Sequence, residues 1–351
     1  MKNNALCFFG IALAFSGAGN VFAADTNNAP VKRGGAVTVT IISSLDGTEQ
    51  KADFYCPPGA APDGTGESVP LLVQLHTWSA GYAQCAGPSP DSKSAKIAPD
   101  FRGPNRRPEA CASKLAIQDV LDAVEYAKKN ARIDESRIYL SGWSGGGHMA
   151  LMMAAKAPQV WAGVSAWVPI SDLAAWRAFH GPAGYGKQCD DACGGPPGSP
   201  ATDAEYKARS PINFLPAARG LPIDINAGIH DGHKGSVPIS QSLKAFNVLA
   251  EANGFKDKMI SEDDILVMTR DEKIPPALAG ETEKDPERKR AILFRRTAGP
   301  VRITIFEGAH ESEAGAAWHW LTRQKKGTPA DFKVYEPKGK GKTADAQEVG
   351  K

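Results

Sequence analysis

Two periodicities take turns along the chain. Residues 37–43 alternate β-branched positions with others and predict a strand; Asp46-Gly47 is a hairpin turn signal, and residues 50–55 are the returning partner. A turn-rich stretch at 57–70 precedes a buried apolar strand at 71–76, and a further short strand is expected at 97–101. From 116 to 130 the apolar residues Ile117, Val120, Leu121, Val124 and Ala127 recur at helical spacing. Strand, glycine turn and helix then follow at 137–141, 142–147 and 148–157, the helix stopped before Pro158. Strands at 162–168, 223–227 and 301–306 and helices at 240–252 and 314–323 complete the pattern. It is broken twice. Residues 180–222 are rich in Gly and Pro and read as a long irregular insertion; the charged segment 256–300, with Pro275-Pro276 near its middle, reads as a second one holding a short helix at 262–268. Strands alternating with helices imply an α/β fold, a mainly parallel sheet with helices on both faces and reactive groups at the carboxyl ends of its strands.

Composition keeps this picture within the ordinary globular range: 42% hydrophobic and 23% charged residues exclude a fibrous or wholly disordered chain. A net charge of +2 supplies no broad basic field, which argues against nucleic acid as a partner. Residues 1–23 read as a signal peptide: Lys2, an apolar run too short to span a bilayer, then Val21-Phe22-Ala23 as a cleavage site. The protein is therefore expected to be secreted or periplasmic with no membrane span, as one domain over 31–336 followed by a disordered tail at 337–351. Export would place Cys56, Cys85, Cys111, Cys189 and Cys193 in an oxidising compartment. A disulfide joining Cys189 to Cys193 is expected, with Cys85–Cys111 the next pairing. No Cys-x-x-Cys pair supports a metal site.

The strand–turn–helix at 137–157 carries the chemistry. Gly142-Trp143-Ser144-Gly145-Gly146 matches Gly-x-Ser-x-Gly, whose glycines permit a sharp turn that lifts the serine hydroxyl clear of the backbone. Such a hydroxyl needs a base within hydrogen-bond reach. His310, directly after the last strand, is the expected base; His148, one turn beyond Ser144, reads as a packing residue, and His319, between two tryptophans, as structural. Asp231, after the strand at 223–227, is the expected acid and gives the chain order Ser, Asp, His; Asp172 is the rival. His230 and His233 beside it read as a solvated loop rather than a metal pair. Oxyanion donors are expected from the N–H of Gly145 and from the loop after residues 71–76, at Trp78 with Thr77 as alternative. Trp78, Tyr82 and Trp143 are candidate substrate-binding aromatics.

This constellation resembles the α/β-hydrolase superfamily, and residues 71–321 are similar to the catalytic domain of the prolyl oligopeptidase (S9) family: the Gly142-Trp-Ser-Gly-Gly-Gly elbow, the Ser–Asp–His order and Val237-Pro238 after the acid loop agree. The same features resemble secreted acetyl xylan, feruloyl and polyester esterases, to which Thr77-Trp78-Ser79-Ala80 is the closer match. The chain departs from these patterns in placing Lys234 three residues before Val237-Pro238, where such families often carry the acid, and in a long interval between Asp231 and His310. Only a few strands are read ahead of the core, so no S9 propeller is expected there. The resemblance implies an ester-cleaving serine hydrolase working through an acyl-enzyme on a small-molecule or polysaccharide ester. The alternatives are an S9-type peptidase acting on short peptides, with Arg102, Arg106 and Arg107 as candidates for binding a peptide terminus, and a non-catalytic binding protein on this fold. No cofactor is implied, because the triad supplies nucleophile, base and orienting acid.

Overall fold

The computed structural model describes residues 34–335; the expected leader at 1–23 and the expected tail at 337–351 lie outside them. A hairpin of β1 (Ala36–Ile42) and β2 (Glu49–Tyr55) opens the fold, turning at Gly47, which sits at φ 72°. There follow β3 (Val69–Leu75), β4 (Ala95–Pro99), α1 (Lys114–Asn130), β5 (Ile133–Trp143), α2 (Gly145–Lys156) and β6 (Gly163–Trp167). Three helices come next: α3 (Leu173–His180), α4 (Gly184–Cys193) and α5 (Pro200–Ala208). The chain then runs through β7 (Ile223–Gly228), α6 (Ser240–Ala252), α7 (Glu262–Asp271), β8 (Ile292–Ala298), β9 (Val301–Phe306) and α8 (Ala314–Leu321).

Among the described residues, nine strands form one sheet in the order β1-β2-β4-β3-β5-β6-β7-β9-β8. From β4 to β9 the pairing is parallel, and both edges are finished by antiparallel strands. The central strands are buried on both faces, so they read as apolar runs rather than alternations. One large core joins α1, α2 and α6 to this sheet. This is the expected mostly parallel sheet flanked by helices, consistent with an α/β-hydrolase fold carrying extra elements.

Two segments differ from expectation. The stretch at 180–222 is largely helical: Ser199 caps α5 and Pro200 starts it, so residues that read as loop spelling are a helix start signal. Within the segment at 256–300, β8 forms an edge strand whose alternation is hidden by arginines. Arg295 is buried there, its Nε donating to Thr304 Oγ1 at 3.1 Å and its Nη1 to Glu283 at 2.7 Å.

The expected disulfides are absent: no two cysteines are bridged among the described residues. Cys189 and Cys193 lie one turn apart on α4. Residues at that spacing hold their Cβ atoms about 5–6 Å apart, beyond the roughly 3.5–4.5 Å a disulfide needs. Cys85 lies near Lys96 and Asp53, whereas Cys111 is buried in the cluster around Trp78 and α4. Burial pushes the thiol of Cys85 up to about 11 and that of Cys111 up to about 12, so both are poor thiolates for exchange.

One buried pair fixes the strands that matter most. Asp224 on β7 and Arg302 on β9 are direct partners in the parallel register, with Nε to Oδ1 at 2.7 Å, and Arg288 Nη2 lies 3.5 Å from Oδ2. Burial would raise the Asp224 pKa, but the two guanidinium groups outweigh it and hold it below the ordinary value. Asp224→Asn would leave two buried cations short of their counter-charge. We expect a loss of about 3–5 kcal/mol, read as a fall in the urea midpoint with an unchanged slope.

Candidate active site

Strand β5 delivers Ser144 at the start of α2 with φ 57° and ψ −122°, a positive-φ conformation that an L-residue holds only under constraint. The constraint is local crowding. A Cβ on Gly142 would lie 2.2 Å from the Gly146 carbonyl oxygen, and one on Gly145 would lie 2.4 Å from the Trp78 nitrogen. Only glycine lets the strand, helix and β3 loop approach so closely. Ser144 is 7% exposed.

Strands β7 and β9 place the other two groups at the same carboxyl edge. His310 Nε2 lies 2.8 Å from Ser144 Oγ, and His310 Nδ1 lies 2.7 Å from Asp231 Oδ2. The carboxylate accepts from Nδ1–H, which leaves Nε2 as the acceptor for the serine proton. Asp231 is 1% exposed, and its Oδ1 accepts from the N–H groups of Gly232 and Val237, each at 3.0 Å. Its loop folds tightly over the triad, since a Cβ on Gly235 would lie 2.2 Å from Asp231 Oδ1. Asp172, the rival acid, caps α3 by accepting from the Ala175 N–H at 3.0 Å. Ser144, His310 and Asp231 form a Ser-His-Asp triad, the arrangement of a catalytic serine hydrolase.

The β3 loop stands opposite the nucleophile. Its Trp78 backbone abuts Gly145, while the Thr77 N–H donates to Gln84 Oε1 at 2.8 Å. The Trp78 indole is buried: it is 2% exposed, donates to Gln188 Oε1 at 2.8 Å and packs edge-on against Trp176. Tyr82 is half-buried, its N–H held by Asp100 Oδ1 at 2.9 Å, and the half-buried Trp143 ring lies 6.2 Å from that of His310.

Several supporting residues carry no motif. Asn105 donates its N–H to the Trp78 carbonyl at 2.8 Å and accepts from the Cys111 N–H. The buried Arg209, beyond α5, donates to the carbonyls of Pro108, Ala110 and Cys111. His148 Nε2 in turn donates to the Arg209 carbonyl at 2.7 Å. A chain of contacts thus links the nucleophile helix, the helical insertion and the segment supporting Trp78. The buried polar groups in this chain show in sequence only as isolated His, Asn and Arg, so spacing could not have found them. Arg102 does not serve a substrate terminus, because it is buried against Asp119 at 2.6 Å and Asp46 at 2.8 Å. Arg107 donates to the Arg102 carbonyl, while Arg106 is exposed. His230 is held by two carboxylates, Glu272 at 2.6 Å and Glu307 at 2.8 Å, which raise its pKa. His233 Nε2 lies 2.8 Å from the Thr269 carbonyl. His319 lies 3.0 Å from Glu287.

The family model for the prolyl oligopeptidase family, peptidase S9, matches residues 112–264, a span that includes Ser144 and Asp231 and ends before His310. Among solved structures, the uncomplexed acylaminoacyl peptidase of Pyrococcus horikoshii aligns at 18% identity with a TM-score of 0.52, over 82% of this chain and 40% of that one. Its orthorhombic crystal form aligns at 16% identity and 0.56, over 85% and 43%. An acylaminoacyl peptidase in complex with Z-Gly-Gly-Phe-chloromethyl ketone aligns at 17% identity and 0.55, again over 85% and 43%. The chain spans less than half the length of these structures, and the likeness is one of fold: an α/β-hydrolase domain resembling the S9 catalytic domain.

Ser144→Ala and His310→Ala should each lower turnover at least about a thousandfold with unchanged circular dichroism. Asp231→Asn should fall comparably, while Asp172→Asn, which keeps its helix cap, should retain activity. His148 gives a pH test of the supporting chain. Burial lowers its pKa from 6.5 to about 4. Between those values the unfolded chain binds a proton that the folded chain refuses, so stability present above pH 6.5 is lost as pH falls toward 4. The contribution is about 3 kcal/mol, and His148→Gln should flatten this part of a pH–stability curve.

Proposed function

We propose that this chain is an exported serine hydrolase that cleaves peptide-type amide bonds through an acyl-enzyme. The observation that carries the reading is the triad, with Ser144 Oγ 2.8 Å from Nε2 of His310, in a chain whose elbow and acid segment match the prolyl oligopeptidase family model. Ser144 Oγ attacks the acyl carbon while its proton passes to His310 Nε2. The imidazolium, stabilised by Asp231, then gives that proton to the departing nitrogen, and water repeats the sequence to release the acid. The N–H groups of Gly145 and Trp78 are the oxyanion donors in this scheme. Thr77 is unsuited because its N–H is donated to Gln84. Trp143 and Tyr82 border the site as candidate substrate contacts, whereas the Trp78 side chain serves by positioning its own backbone.

Carboxylic-ester cleavage is the second reading. It is favoured by the Thr77-Trp78-Ser79-Ala80 loop, which resembles that of secreted esterases, and it uses the same triad.

The deciding experiment assays residues 24–351 side by side on proline- and alanine-containing peptide anilides and on acetylated and feruloylated xylan, with Ser144→Ala as control. Anilide cleavage at an efficiency comparable to that on esters supports the peptidase reading; polysaccharide-ester turnover without anilide cleavage replaces it with the esterase reading. For either substrate class, Gly145→Ala would press a methyl group against the Trp78 nitrogen. We expect kcat to fall about 100-fold or more, as when one oxyanion donor is lost.

A further inference from the structure

A cavity of about 600 Å³, wide open to solvent, reaches the triad through Ser236; His180, Tyr185, His233, Lys234 and Gly235 are among its other lining residues. Its link to the triad is Ser236, whose Oγ lies 3.4 Å from His310 Nε2. The backbone there is clamped from the opposite wall: the Ser236 carbonyl accepts from Trp176 Nε1 at 2.7 Å and lies 2.8 Å from His180 Nε2. Edge-on contacts of His180 with Trp176 and Tyr185 make that wall aromatic.

Chemistry decides which half of a substrate this cavity faces. The carbonyl oxygen must point at the oxyanion donors, and the bond that breaks must point at the nitrogen that delivers the proton. A space that begins beside His310 Nε2 therefore faces the leaving group. Charge decides what kind. No carboxylate lines the cavity, and exposed Lys234 forms no ion pair among the described residues. The adjacent carboxylate, Glu272, lies within the field of Lys234 but is hydrogen-bonded by His230 at 2.6 Å and approached by His233 at 3.7 Å. Lys234 lies in the segment that separates Asp231 from Val237-Pro238.

We propose that this cavity is the leaving-group subsite, and that it takes an aromatic or apolar leaving group bearing a carboxylate, with Lys234 as its counter-charge and Ser236 as a positioning residue at the scissile bond. The proposal rests on the serine-hydrolase reading of the triad and holds for amide or ester. In the step it serves, the C–N or C–O bond breaks, Nε2–H passes its proton to the departing atom, and the acyl group stays on Ser144. The Ser236 hydroxyl borders the departing atom and helps to aim it at Nε2. For a peptide, the matching substrate ends in a free carboxylate just beyond the scissile bond.

The test uses two esters of closely similar shape, anionic 4-acetoxybenzoate and neutral 4-acetoxybenzamide, each corrected for its rate in buffer to remove the difference in leaving-group acidity. The wild-type protein should favour the benzoate in kcat/KM. Lys234→Met should lower the benzoate-to-benzamide ratio about threefold to fivefold, as expected for an exposed ion pair, Lys234→Glu should lower it further, and Lys234→Arg should preserve it. An unchanged ratio in Lys234→Met, or equal losses on both esters, overturns the proposal. Fluorophosphonate labelling of Ser144 in wild type and variants reports on the triad separately. Failure of labelling would defeat the hydrolase reading; normal labelling with no charge preference would defeat the subsite alone.

Discussion

A serine held at φ 57° is the constraint on which the rest of the structure turns. A residue in that region costs about 1–3 kcal/mol and persists only where its surroundings allow no alternative. Here the surroundings are backbone. The Gly146 carbonyl crowds Gly142 from the helix, and the Trp78 nitrogen crowds Gly145 from the β3 loop. The contact that holds the nucleophile upright therefore also brings the Trp78 N–H beside it. The strained turn and the neighbouring β3 loop are one packing solution.

The second organising element lies in the sheet. Asp224 and Arg302 face each other across β7 and β9, and each strand runs on to a loop bearing a triad member. A slip in pairing would displace Asp231 relative to His310. A charge pair in the interior is a demanding way to fix register, because a shifted partner would leave a buried ion without its counter-charge. Apolar burial alone would not give that discrimination.

Much of this was legible in the chain. The parallel sheet follows from apolar strands alternating with helices, and the nucleophile follows from a glycine turn set between them. His310 and Asp231 can be picked out because each follows a buried strand, and the fold brings the imidazole to 2.8 Å from the serine and 2.7 Å from the carboxylate. The failures share a cause: local spelling is outweighed by distant partners or by helical geometry. Arg295 interrupts the apolar pattern of β8, yet it is satisfied by Glu283 and Thr304. Pro200 reads as a loop residue until Ser199 supplies the cap that makes it a helix start. Cys189 and Cys193 are close in sequence, but the helix holds their side chains too far apart to bond. Trp78 reads as a substrate contact because aromatic character says nothing about which way a ring points; Gln188, 110 residues away, captures its indole.

The clamp on the Ser236 carbonyl has a consequence for how this fold can diversify. Trp176 and His180 on α3 hold the same short loop whose Asp231 orients the base. A change in α3 that reshaped the neighbouring cavity would also pull on the loop that aims the imidazole. If that cavity holds the leaving group, selectivity and rate are mechanically geared together on this side of the site. Divergence in substrate choice would then proceed more freely through exposed side chains of the acid loop, which can change without loosening the clamp, than through the helix that grips it.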